Sequence, residues 1–171
     1  LAYGLGRKVR EGAALLKRVL YCTGGHPYLT QRLCQAVAEE GSITGDKGVD
    51  RLCKELFTSP RAQESDHNLL FVREQLLRGG PDPSSLLDLY AKVWKRRNVC
   101  DDGDDSRISL LRLSGVTRAE SGRLKVRNRI YNNVFDKTWI MSNLPDAEVR
   151  RQRTAFRRGV WGAPSVSVVI L

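Results

Sequence analysis

Residues 116–127 read VTRAESGRLKVR, and this stretch decides how the rest of the chain is interpreted. Apolar and polar side chains alternate on both sides of Ser121-Gly122, which is the pattern of two short strands joined by a tight turn. Outside this stretch, apolar residues recur at helical spacing. We therefore predict a mainly α-helical chain with one small β-hairpin.

Working outward from the hairpin, the apolar spacing predicts six helices before it and one long helix after it. They are expected at residues 9–21, 27–40, 46–57, 64–78, 84–97, 106–114 and 128–144. In the first helix, the spacing places Val9, Ala13, Leu16 and Leu20 on one buried face. The polar stretch TSPRAQESD (58–66) is predicted to be a loop.

The order of the elements around the hairpin suggests how the chain is divided. Three helices, a hairpin and a final helix are the order of a winged-helix domain, which we place at residues 61–144. The three helices before it are expected to form a small bundle, at residues 1–60, packed against that domain. The predicted fold is thus a helical bundle followed by a winged-helix domain.

The chain has 171 residues, a net charge of +10 and a sequence pI near 9.8. Such a charge suggests nucleic acid, an anionic membrane surface or an acidic partner. Part of the excess is local, because residues 150–158 contain five arginines and no acid. The four cysteines form no CxxC pair and only two histidines are present, so we expect no metal site and reduced thiols.

The end of the sequence changes character twice. Residues 145–159 are polar and rich in arginine, whereas residues 160–171, VWGAPSVSVVIL, carry no charge. Arginines before an apolar run are typical of the cytoplasmic flank of a membrane helix. We therefore predict a basic juxtamembrane linker and the start of a truncated transmembrane segment, in a cytoplasmic protein anchored to the inner membrane. A terminal strand or a disordered tail is the alternative for residues 160–171.

Residues 22–29, CTGGHPYL, separate two helices that could have been one. Gly24 and Gly25 end the first helix, and Pro27 suits the first turn of the next, where its missing N–H matters least. One of the two histidines, His26, lies at this break. The other, His67, has no nucleophile pattern around it and is expected to be a surface or capping residue.

Sequence motifs argue against catalysis by this chain alone. No GxxxxGK(S/T) phosphate loop is present, and YGLGRK (3–8) lacks the hydrophobic strand that should precede one. The acidic run at 101–105 does not fit a calcium loop, because its twelfth position is Arg112 rather than glutamate. We assign no catalytic residue and expect no nucleotide hydrolysis by the chain itself.

DNA binding is the main alternative that a winged helix raises. The helix before the hairpin reads RISLLRLSG (107–115), which leaves only Arg107 and Arg112 for base contacts. The hairpin cations could contact phosphates. A winged helix that packs on protein is favoured, and a DNA-binding transcriptional regulator remains the alternative, with a plain helical interaction module as the third possibility.

Five blocks of the sequence, in this order and spacing, resemble a known family. They are LAYGL (1–5), LLKRVLYCTGGHPYLTQRLC (15–34), SLLDLYAKVW (85–94), LRLSGV (111–116) and GRLKVRNRIYNNVFDKTWI (122–140). The chain resembles the C-terminal half of the bacterial AAA-like module of STAND-type signalling NTPases. The resemblance implies that residues 1–60 are the helical lid of that module and that the Walker-containing core is missing from this sequence.

The resemblance also implies a function and a set of site residues. Gly25, His26 and Pro27 match the motif that packs against the adenine of bound nucleotide in relatives, and Arg127 and Arg129 are the candidates for phosphate or anion contacts. The implied cofactor is ATP or ADP, with Mg²⁺ held at an upstream P-loop core, so the parent protein would be an ATPase. The implied partners in cis are that core and a downstream repeat or effector domain. The lid and winged helix would close on nucleotide as an autoinhibitory switch.

Overall fold

The computed structural model describes residues 9–80 and 82–144, and within them the chain forms nine α-helices, one π-helical turn and one hairpin. In chain order these elements are α1 (Val9–Thr23), α2 (Pro27–Glu40), α3 (Gly45–Cys53), the π-helical turn (Lys54–Thr58), α4 (Pro60–Ser65), α5 (His67–Arg78), α6 (Pro83–Trp94), α7 (Ser106–Leu113), β1 (Thr117–Glu120), β2 (Arg123–Val126), α8 (Arg129–Val134) and α9 (Lys137–Asn143). The predicted class, mainly α with one small hairpin, is confirmed. The segments predicted at 145–159 and 160–171 lie outside the described residues.

The hairpin forms where the alternating pattern places it. Thr117 pairs with Val126 and Glu120 pairs with Arg123, in an antiparallel register. The two residues between the strands, Ser121 and Gly122, have φ of 52° and 72°. Positive φ at both positions is what a two-residue hairpin turn requires.

Polar side chains fix where most helices begin. Six helix starts have a side-chain oxygen that accepts a backbone N–H of the first turn, from Ser59, Asp66, Asp82, Asp105, Asn128 and Asp136. The prediction of a loop at 58–66 is wrong, because such a cap starts a helix within it. Ser59 accepts from the N–H of Ala62 and Pro60 occupies the first turn, so the polar stretch folds as α4.

The long helix predicted at 128–144 is also wrong, because the chain forms two short helices there. Phe135 leaves the helical conformation at φ −98° and ψ 54°, and Asp136 is extended. The carboxylate of Asp136 then accepts the N–H of Trp139 at 2.8 Å and starts α9. The predicted helix at 46–57 is likewise divided into α3 and the π-helical turn.

The buried face of α1 differs from the one that the spacing predicts. Leu15, Val19 and Cys22 are buried, whereas Ala13 is exposed and Leu20 is 41% exposed. Helix α1 packs against α2, α3 and α8. Because these three helices surround it, the residues that become buried lie next to the predicted face. The predicted burial of Leu29, Leu33, Cys34 and Val37 on α2 is confirmed.

Buried side chains from both predicted units belong to one hydrophobic cluster. Leu33 and Phe57 lie in the segment predicted as the lid, and Tyr90 and Tyr131 lie in the segment predicted as the winged helix. Helix α8 contacts both α1 and the π-helical turn. The boundary at residue 60 therefore stays a prediction, with packing across it. No helix within residues 9–80 and 82–144 is long and apolar enough to cross a membrane.

Candidate functional site

The turn between α1 and α2 is built against the residues that follow the hairpin. Gly24 and Gly25 have φ of 57° and 74°, in the left-handed region. A Cβ at Gly24 would lie 2.7 Å from the carbonyl oxygen of Arg127 and 3.1 Å from Cβ of Asn128. The backbone of the turn therefore approaches the start of α8 as closely as only glycine allows.

His26 packs against α8 as well. Its ring meets the ring of Tyr131 edge-on, with 5.9 Å between centroids. Its Nδ1 is buried and has no hydrogen-bond partner among the described residues. Burial, and secondarily the charge of Arg127, lower the pKa of His26 below its ordinary value, so the ring is neutral near pH 7.

The two neighbours of His26 in the predicted motif are open to the outside. Gly25 and Pro27 are exposed, and a Cβ at Gly25 would have no neighbouring atom within 4 Å. Glycine is favoured at position 25 by the positive φ, because a side chain there would meet no neighbouring atom. The turn thus presents an open glycine and an apolar proline edge, whereas the unpaired nitrogen of the neutral His26 ring is buried.

Tyr131 connects the α1–α2 turn to other helices. Its hydroxyl donates to the side-chain oxygen of Asn68 at 2.7 Å, and burial raises its pKa to about 12. Its ring also lies 6.1 Å from that of Phe135. Tyr131 therefore connects His26 with α5 and with the end of α8.

The arginines that follow the hairpin lie beside this turn. Arg129 stacks over the ring of Tyr21 at 4.6 Å and donates to its hydroxyl at 2.7 Å. Arg18 lies at the same distance from that ring and forms a two-bond ion pair with Asp50. The ion pair raises the pKa of Arg18 and lowers that of Asp50. The structure thus brings the two predicted sets of site residues together.

A half-open groove of about 830 Å³ begins at Gly24 and runs between the hairpin and the end of α6; we call it the basic groove. Seven cations and no acidic residue of the described chain line it. Arg118 and Lys125 are ion-paired with Glu120, and the pairs lower the pKa of that carboxylate. The other five cations are arginines, namely Arg96, Arg97, Arg123, Arg127 and Arg129.

Two polar side chains of the basic groove have unsatisfied donors. Asn128 is 7% exposed; its Oδ1 accepts the N–H of Tyr131, but its Nδ2 has no partner among the described residues. The Nε of Arg127 is buried and unpaired in the same part of the chain. Buried donors are satisfied in most native proteins, so both atoms call for an acceptor.

The sequence prediction names Arg127 and Arg129 but not Arg96, Arg97 or Asn128, which line the same groove. The sequence places Arg96 and Arg97 inside a helix predicted at 84–97, whereas α6 ends at Trp94 and Arg96, beyond its end, takes a positive φ of 56°. The dipeptide Arg-Arg after an apolar helix was the available signal. The sequence predicts Asn128 only as the first residue of a helix. No sequence pattern indicates that its side-chain Nδ2 is left without a partner.

Other candidate chemistry is not assembled in the described residues. No group of three or more His, Cys, Asp or Glu side chains between residues 9 and 144, Pro81 apart, could hold a metal ion. Cys22, Cys34 and Cys53 are buried free thiols, and Cys100 is exposed. His67 is exposed at the start of α5, where Asp66 supplies the cap instead.

Comparisons with known proteins are sparse. No family model matches the chain, and no solved structure matches it. The chain is similar to an uncharacterized WD repeat-containing protein of Synechocystis sp., with 29% identity over 157 residues. The match covers 84% of this chain but only 13% of that protein.

Proposed function

We propose that this chain is the regulatory lid and winged-helix region of an ATP/ADP-binding, STAND-type signalling switch. The observation that carries the proposal is the contact of Gly24 with Arg127, which joins the base-sensing turn to the arginines after the hairpin. In such a switch, closure over nucleotide would hold both predicted units together. Exchange of nucleotide would shift the population toward an open state.

The turn has the chemistry that an adenine ring requires. Open glycine backbone at Gly25 lets a flat ring approach, and Pro27 offers an exposed apolar edge. The neutral ring of His26 carries a nitrogen without a partner in the described structure, which could hydrogen-bond to a base after a small movement. These features fit a nucleotide whose phosphates and Mg²⁺ are held by an upstream core.

The similarity to a much longer WD repeat-containing protein supports an architecture with a downstream repeat domain in cis. A regulatory region of this kind has to pass its state to neighbouring domains. Helix α8 is suited to that role, because it contacts α1, the π-helical turn and the hairpin at once.

The geometry of α7 gives less support to the DNA-binding alternative. Arg107, one of its two candidate base-reading residues, is held by Asp105, whose pKa falls to about 2 as a result. Arg112 is paired with Asp101 at 3.4 Å. Leu113, at the end of the helix, is 78% exposed. Base contacts by this helix would require both ion pairs to open first.

The first test is the gene itself. The proposal expects a Walker phosphate loop within roughly 150 to 250 residues upstream of Leu1, about one domain's length. A reading frame with no such loop in that interval refutes the switch.

In the protein that includes this upstream core, the double variant His26→Ala/Pro27→Ala is expected to bind ADP about tenfold more weakly, as loss of one stacking or hydrogen-bonding contact predicts. His26→Phe preserves the edge contact with Tyr131 and separates stacking from hydrogen bonding. Pro60→Ala is the matched control, because Pro60 also begins a helix but lies outside the turn. Equal ADP affinity of the double variant and the control would remove the base-sensing role.

A further inference from the structure

We propose that the basic groove is a binding site for a compact, multiply phosphorylated small molecule. This goes beyond the proposed function, because Gly25, His26 and Pro27 do not line the groove and no nucleotide base is required. The site would let the region respond to a second, phosphate-bearing ligand.

Charge is the first argument. Arg96 and Arg97 follow the end of α6, Arg123 begins β2, and Arg127 and Arg129 flank the start of α8. These five arginines line one groove whose lining contains no carboxylate of the described chain, and Arg129 is also held over the ring of Tyr21. Like charges gathered in this way repel one another unless an anion lies between them. Planar guanidinium groups are also the side chains that best match phosphate oxygens.

The unpaired donors are the second and independent argument. Nδ2 of Asn128 and Nε of Arg127 are buried at the lining of the same groove without an acceptor in the described residues. Asn128 is fixed by its capping bond to Tyr131, so its amide hydrogens cannot turn away to other acceptors without losing the cap. A ligand rich in acceptor oxygens supplies the acceptors that both donors lack, once the half-buried side chain of Arg127 moves to admit it, whereas an apolar or cationic ligand supplies none.

The shape of the groove determines the size of the ligand. Its volume of about 830 Å³ lies within the range of small-molecule sites, roughly 300 to 1,000 Å³. The arginines come from three segments around one opening rather than in a line along one helix. A compact ligand of high charge density therefore fits better than an extended polymer.

Binding of tripolyphosphate to the full chain, measured by titration calorimetry at low and at physiological salt, tests this directly. The variant Arg96→Gln/Arg123→Gln is expected to weaken binding at least about tenfold, because two charge-assisted contacts are lost. The matched control is Arg61→Gln/Arg73→Gln, which removes the same charge from exposed positions on α4 and α5. The control should bind within about threefold of the unchanged chain.

Asn128→Asp provides a variant that keeps the fold. Aspartate caps a helix as well as asparagine does, so the thermal unfolding midpoint should stay close to that of the unchanged chain. The variant replaces the unpaired donor with a negative charge, and tripolyphosphate binding should weaken at least about tenfold.

Three results would overturn the proposal. One is the absence of tripolyphosphate binding even at low salt, including the case in which ATP binds and tripolyphosphate does not. Another is binding that persists in every groove variant, as the arginines at 150–158 alone would produce. The third is tighter binding of a short DNA duplex that the same variants abolish. Because tripolyphosphate has no base, this test can fail while base sensing by the turn holds, and the reverse.

Discussion

Two interruptions between consecutive helices lie against Tyr131, one between α1 and α2 and the other between α8 and α9. The two interruptions have different causes. At Gly24–Pro27, two glycines of positive φ and a proline produce the turn locally, so the sequence itself signals the break. At Phe135–Asp136, neither glycine nor proline is present. The rings of His26 and Phe135 pack on Tyr131 from the two breaks, 5.9 and 6.1 Å away.

The second break depends on partners that are distant in sequence. The buried hydroxyl of Tyr90 donates to the carbonyl oxygen of Phe135 at 3.2 Å. Nε1 of Trp94 donates to the carbonyl oxygen of Asn132 at 2.9 Å. Helix α6 thus satisfies carbonyl groups that a continuing helix would have paired by itself. The comparison shows that one break is encoded by backbone conformation and the other by tertiary hydrogen bonds.

Gly24→Ala should break the locally encoded turn and have the largest effect. The added Cβ combines a left-handed backbone with a 2.7 Å approach to the carbonyl oxygen of Arg127. We expect the free energy of unfolding to fall by about 2–4 kcal/mol in urea denaturation. Gly25→Ala is the matched control, because its Cβ meets no atom, and its cost should be about 1 kcal/mol. Equal costs at the two positions would mean that the close approach to α8 contributes nothing.

Tyr90→Phe should weaken the break that depends on distant partners. Removal of the hydroxyl leaves the carbonyl of Phe135 without this buried donor, and the expected loss of unfolding free energy is about 1–3 kcal/mol. Tyr21→Phe is the control for loss of a tyrosine hydroxyl, because Tyr21 is 50% exposed, and its effect should stay near 0.5 kcal/mol. Denaturation curves that coincide for the two variants would contradict a role for Tyr90 in ending α8.

The same contrast explains which elements could be predicted from the sequence. The α1–α2 turn, the stop at Gly41 and the turn at Ser121-Gly122 each use residues whose backbone preferences are visible locally. The division of 128–144 was missed, since its cause lies on α6. Helix α4 is not predicted for a different reason, because the Ser59-Pro60 start lies within a run of polar residues that is typical of a loop.

The candidate site also has a part that is encoded locally and a part that depends on residues distant in sequence. The α1–α2 turn could be predicted because glycine, histidine and proline stand together in the sequence, whereas its base-sensing role is a prediction from the family resemblance. The basic groove was found only in part, because it gathers side chains from α6, β2 and the start of α8. Its most specific element, the unpaired amide of Asn128, follows from a capping geometry that no pattern of residue types reveals.

The smallest expected effect concerns His26 and sharpens the description of its turn. Its pKa lies below the ordinary value of 6.5 in the folded chain, because burial and Arg127 disfavour the charged ring. As the pH falls through 6.5, the unfolded chain binds a proton at this position and the folded chain does not, so the stability of the fold decreases.

His26→Phe should reduce this decrease in urea denaturation between about pH 7 and pH 5, the range in which histidine titrates. The unchanged chain, measured under the same conditions, is the reference. The pKa values of Asp50, Asp105 and Glu120 are also lowered, but these carboxylates are present in both proteins, so their contribution cancels in the comparison. A pH dependence that is the same with and without the ring of His26 would show that this ring is not held neutral against Tyr131.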